Sequence, residues 1–178
     1  MVWSCLVSIL PGMAQTEKLT DYVNPFVGTD GYGNVYPGAQ IPFGGIQISP
    51  DTDSRFYDAA SGYKYNHLTL MGFSLTHLSG TGIPDLGDFL FIPGTGEMKL
   101  EPGTHEDPDQ GYRSRYSHDK EWASPNYYAV ELADYGVKAE MTSGVRSGMF
   151  RFTYPESDNA FIMIDMNHTL WQSCEWSN

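Results

Sequence analysis

A chain of 178 residues fits one domain with a sizeable core, and a 40% hydrophobic content with twelve tyrosines excludes disorder. Its 22 acidic against 10 basic residues give a formal net charge of −12 with no basic stripe, which argues against nucleic acid or anionic lipid as a partner. Neutral, hydroxyl-rich ligands such as sugars stay open, because acids and aromatics bind them without a basic patch.

The N-terminal MVWSCLVSILPGMAQ is apolar through Leu10 and then reaches small residues at Gly12 and Ala14. It resembles the core and cleavage region of an export signal, although no Lys or Arg precedes Lys18. It is too short to span a bilayer. We expect residues 1–15 to be a clipped export signal, with periplasmic or extracellular localisation; the other reading is an apolar N-terminal strand. Removal of Cys5 would leave Cys174 alone, so no internal disulfide is expected. Cys5 also precedes most of the apolar run, which does not support a lipid anchor.

From Asp21 to Gly45 the chain is dominated by Gly, Pro, Asn and aromatics, and reads as a long structured loop. A short strand is expected at Gly45 to Ser49, where Ile46 and Ile48 alternate with polar neighbours. PDTDSRFYDAASG is turn-rich, and YKYNHLTLMGFSLTHL holds at least one strand with Leu68 and Leu70 on one side. DFLFIPGTGEMKLE predicts two strands around a Pro-Gly turn, and HEDPDQGYRSRYSHDKEWASPN a polar excursion. Tyr128, Val130 and Leu132 alternate, ADYG turns, and Val137, Ala139 and Met141 alternate again, which predicts a β-hairpin. GMFRFTYP and AFIMIDM supply two more strands. With no sustained 3.6-residue period, the fold class is all-β, an antiparallel β-sandwich with long Gly/Pro-rich loops. The last strand is followed closely by the final residue, so residues 16–178 are expected to be the front part of a longer protein.

The stretch THLSGTGIPDLGD, residues 76 to 88, concentrates chemistry. Its glycines do not fit G-x-G-x-x-G, and GFSLT lacks the second glycine of a nucleophile elbow. His67 and His77 are not in H-E-x-x-H spacing, and DTDSRF opens like a calcium loop but places Arg55 and Phe56 where ligand and glycine belong. A capped turn is the better reading there. Two accounts remain. His77, Ser79, Asp85 and Asp88 can hydrogen-bond sugar hydroxyls, Gly80 and Gly82 admit close backbone approach, and Tyr57, Tyr63, Tyr65 and Phe73 can cover a pyranose. Alternatively the segment is a glycine-rich connection whose aspartates make Asx-turns and whose aromatics are core.

NPFVGTDGYGNVYPGA, SGYKY and GFSLTHLSGTG followed by PDLGD, in this order, resemble the N-terminal domain of glycoside hydrolase family 92 over about Asp21 to Asn178. That family comprises exo-acting α-mannosidases. The resemblance implies a β-sandwich packed on a C-terminal (α/α)6 barrel, and inverting, calcium-dependent hydrolysis of mannose-containing glycans. Inversion takes a general acid and a general base spaced to admit water. The resemblance puts the acid, the base and the Ca2+ ligands in the barrel, outside this chain, so the chain alone is expected to be inactive. It implies a pocket-wall role for this domain, with Ser61, Gly62, Tyr63, His77, Ser79 and Asp85 as substrate-binding candidates. Family members cutting α-1,2 linkages carry a W-D-W-C-S-G-Y-H-Y-like run. Here the run is YDAASGYKY, with Tyr57 and Ala59 at the tryptophan positions and Ala60 at the cysteine. Another linkage, such as α-1,3, is therefore expected of the full-length parent. The alternative is a free-standing carbohydrate-binding module.

Overall fold

A computed structural model describes residues 17–54, 57–80 and 85–170, without the side chain of Asp58. The expected export signal, Gly82 and Cys174 lie outside these residues. The described chain is all-β, with only single 3-10 turns besides strands.

Two antiparallel sheets form a sandwich. One is built from β1 (Ala39–Gln40), β2 (Gln47–Asp51), β4 (Gly72–Thr76), β5 (Gly87–Thr95) and β11 (Ala160–Thr169), in that spatial order. The other runs β10 (Gly148–Thr153), β9 (Val137–Ser143), β8 (Tyr127–Leu132), β7 (Glu121–Ser124). A separate ribbon pairs β3 (Thr69–Leu70) with β6 (Ser114–Arg115).

The expected hairpin forms in register, Leu132 opposite Val137 and Tyr128 opposite Met141. Its alternating apolar residues enter the space between the sheets and meet Ile48 and Phe73. Burying each of these large side chains contributes about 1.5–3 kcal/mol. On the other face of the five-stranded sheet, Met71, Leu90, Ile92 and Tyr112 make a second apolar cluster.

Two local expectations differ from the structure. DFLFIPG does not turn at Pro93-Gly94; β5 runs straight through to Thr95. Pro93 is tolerated because pairing with β4 ends at Phe91, so beyond it β5 has only β11 beside it and an open edge where no donor is needed. Leu68 and Leu70 do not share a face either. Leu70 is buried, whereas Leu68 precedes β3 and is exposed.

Glu121 is one of the buried acidic residues. Glu121 accepts hydrogen bonds from the Tyr63 hydroxyl at 2.9 Å and the Tyr128 hydroxyl at 2.5 Å, and pairs with His118 Nδ1 at 2.6 Å. Burial first, then neighbouring Tyr116 and Glu121 for Tyr63 and Glu121 for Tyr128, pushes both tyrosines well above the ordinary phenol range, so both remain donors. This arrangement ties the SGYKY segment to the four-stranded sheet.

Candidate functional site

The three motifs that carry the family resemblance meet at one end of the sandwich. Tyr65 N donates to Thr29 O at 2.9 Å, Gly80 N donates to Asn34 O at 2.6 Å, and Lys64 Nζ donates to Gly31 O. Phe26 packs edge-on against Tyr65 with ring centres 5.8 Å apart. The glycine-rich first motif thus lies against both the SGYKY segment and the residues after β4.

Asp51, the last residue of β2, is the hub beneath them and is fully buried. Its Oδ1 accepts from His77 Nε2 at 2.7 Å and its Oδ2 from His168 Nε2 at 2.8 Å. His77 Nδ1 lies 2.7 Å from the Gln47 carbonyl, and Ser74 Oγ lies 3.1 Å from Nε2. Both His77 ring nitrogens thus have oxygen partners within hydrogen-bond distance, Nδ1 on a carbonyl and Nε2 on the carboxylate. Burial alone opposes ionisation of Asp51, but the His77 charge and the hydrogen bonds from His168 and His77 outweigh it. They hold the carboxyl well below the usual carboxylate range.

Gly62 makes room for this hub. Its φ is +85°, in the left-handed region, and a Cβ there would lie 2.1 Å from Asp51 Oδ1. Its carbonyl accepts from Thr52 N at 2.7 Å, so the backbone cannot retreat. Thr52 Oγ1 in turn accepts from Lys64 N at 2.9 Å.

The six expected substrate-binding residues divide by exposure. Ser61, Gly62, Tyr63 and His77 are buried, while Ser79 and Asp85 are exposed. Tyr36 lies between the two groups, its ring centre 5.1 Å from that of His77. Burial pushes the Tyr36 phenol up, while a hydrogen bond with the Ser79 hydroxyl pulls it the other way. Asp85 Oδ1 accepts from Leu86 N at 2.8 Å, and Asp88 Oδ2 from the Thr76 hydroxyl at 2.9 Å, so both acids also hold the backbone of their turn. Leu86, Gly87 and Asp88 have φ of 75°, 98° and 59°, three consecutive left-handed residues that direct the chain into β5. Of the aromatics, Tyr57 and Tyr65 are partly exposed, whereas Phe73 is core.

His168 was not among the residues singled out in the sequence. Strict alternation along β11 groups it with Ile162, Ile164 and Met166, all of which are exposed. A bulge between Asp165 and His168 breaks that alternation and turns the imidazole inward. The signal available was a histidine just past a strong strand in MNHT, which by itself names no partner. In the described part of DTDSRF, Asp53 Oδ1 accepts from Ser54 N at 2.7 Å, and its Oδ2 lies 3.0 Å from His105 Nε2.

Among the described residues, no group of three or more His, Cys, Asp or Glu side chains is placed to hold a metal ion. Both Asp51 oxygens are already taken by histidines, so the hub does not fit the Ca2+ that the resemblance implies. Among the described residues, no helix is long and apolar enough to cross a membrane.

The depressed Asp51 pKa carries a testable consequence. Its stabilisation is complete above the unfolded carboxyl pKa of about 3.9 and is lost as pH falls toward the lower folded value. Glu140, held at about 2 first by hydrogen bonds from Arg151 and Tyr127, adds a smaller, solvent-screened contribution of the same sign. Urea midpoints measured from pH 6 down to pH 2 should therefore fall below about pH 4. In Asp51→Asn that fall should be shallower; an unchanged slope would mean Asp51 is not ionised in the folded chain.

A sequence profile of the glycosyl hydrolase family 92 N-terminal domain matches residues 22–178. An uncharacterized secreted glycosidase of Arthroderma benhamiae is 30% identical over 139 residues, which are 77% of this chain and 17% of that protein. The fold is similar to that of the gh92 family glycosyl hydrolase ccman5, with a TM-score of 0.72 and 31% identity over 85% of this chain and 21% of that one. It is also similar to the family GH92 inverting mannosidase BT2199 of Bacteroides thetaiotaomicron, with a TM-score of 0.67 and 27% identity, covering 84% and 20%. The chain thus spans about a fifth of the length of these relatives. With its motifs gathered on one buried carboxylate and its sandwich shared with these enzymes, the chain belongs to the glycosyl hydrolase family 92 N-terminal domain family.

Proposed function

We propose that the chain is the N-terminal β-sandwich of an exported, calcium-dependent inverting α-mannosidase and supplies one wall of its mannose pocket. The observation that carries this reading is the convergence of the three family-resembling motifs on the Asp51 hub, with Ser79 and Asp85 left exposed above it. Ser79 and Asp85 are the residues proposed to meet sugar hydroxyls, while Ser61, Gly62, Tyr63 and His77 shape the floor behind them. The acid, base and calcium ligands are assigned to a C-terminal barrel of the same polypeptide. Exposed Tyr32, Phe43, Tyr57 and Leu78 support a packing role against such a domain. Export is supported by the apolar leader and by the secreted relative. Where α-1,2 enzymes carry tryptophans, this chain has half-exposed Tyr57 and buried Ala59, which supports cleavage of another linkage such as α-1,3.

The test uses the uninterrupted reading frame, assayed on α-linked mannosides. Ser79→Ala and Asp85→Asn should each raise KM by roughly twofold to tenfold, the value of one lost hydrogen bond. Thermal midpoints should stay near those of the unmodified enzyme. Unchanged KM in both variants would reduce this segment to a structural connection. Titration of the 178-residue chain alone with mannose separates the module reading: saturable heat at millimolar sugar favours a free-standing carbohydrate-binding module.

A further inference from the structure

We infer that His168 and Asp51 are positioning residues that clamp the two ends of the β4–β5 connection and so set where Ser79 and Asp85 stand. The inference rests on the pocket-wall reading for its functional meaning, but its geometry is independent of it. His77 is the first residue after β4, and its Nε2 is fixed by Asp51 Oδ1 at 2.7 Å. At the other end, Gly87 opens β5 and lies against His168, where an added Cβ would come within 3.0 Å of the imidazole Cδ2. His168 Nε2 is fixed by Asp51 Oδ2 at 2.8 Å. One carboxylate therefore bridges the start and the finish of the connection through two imidazoles.

Each end is tied once more by backbone. Gly80 N donates to Asn34 O at 2.6 Å on the His77 side, and Leu170 N donates to Leu86 O at 3.0 Å on the His168 side. Thr76 and Gly87 face each other across β4 and β5, which closes the base of the connection. The influence of His168 on Ser79 and Asp85 runs through Gly87, Leu86 and Asp51.

Amide hydrogen exchange on the chain tests this. In His168→Ala, exchange at Gly80 and Leu170 should quicken by about tenfold or more, while amides of β8 and β9 keep their protection. His168→Gln, whose side-chain amide can donate to Asp51 Oδ2, should restore part of that protection. Acceleration spread evenly over both sheets, or none at Gly80, would overturn the clamp. If His168→Ala does not fold, the unmodified chain still decides. Nitrogen-15 NMR should show a slowly exchanging Nε2 proton on both His77 and His168, and a His168 ring without it refutes the inference. The pocket-wall reading fails separately, through an unchanged KM.

Discussion

Replacing Asp51 by Ala is expected to destabilise the sandwich by about 3–5 kcal/mol, the usual cost of removing one partner from a buried ion pair. The loss would leave the buried His77 and His168 rings without the carboxylate that both share. In a domain of this size that lowers the thermal midpoint by roughly 10 °C. Asp51→Asn should fall between, since its amide keeps the volume but presents one accepting oxygen instead of two. Urea titrations followed by tryptophan fluorescence measure both. A cost below about 1 kcal/mol for Asp51→Ala would mean that the carboxylate is not the anchor of this end of the sandwich.

Gly62→Ala is the second large effect, and it acts on the same hub from the other side. The left-handed backbone costs about 1–2 kcal/mol for any residue with a Cβ. The methyl must also clear Asp51 Oδ1, which would be 2.1 Å away, in a core with no slack. Overpacking of this kind costs about 1–3 kcal/mol more. The two parts are separable. In an Asp51→Ala background the oxygen is gone, and Gly62→Ala should cost only the backbone part. A double-mutant cycle reads the difference as coupling, and strictly additive costs would show that Gly62 and Asp51 do not meet.

Much of the fold was legible because strand patterning is local. The Tyr127–Leu132 and Val137–Ser143 hairpin follows from alternation around a turn, and the last two strands follow from the same period. Pro93 misled because proline marks a turn in sequence but is equally at home on a strand with one open edge. β6 and β7 were hidden in a polar segment, since their pairing comes from neighbours and not from their own apolar pattern.

The candidate site was legible in its residue types and motifs but not in its arrangement. Gly62 and His77 stand out in SGYKY and THLSG, yet nothing local says that one is small to admit an oxygen that the other binds. Asp51 read as part of a capped turn, which describes Asp53 and misses its neighbour. His168 lies 117 residues from Asp51, and only the β11 bulge faces it inward. Equally, sequence cannot tell exposed Ser79 and Asp85 from buried Ser61 and Tyr63, because all four residue types suit a sugar.

An acidic all-β sandwich and, through the ordered motifs, the family are readable from the chain alone. These depend on composition, two-residue periodicity and the order of short segments, all carried along the chain. The tertiary structure decided that Asp51, His77 and His168 are one buried unit, and which candidates face outward. The reason is physical: a buried charge is stable only where partners from distant strands enclose it, and that condition has no local sequence pattern.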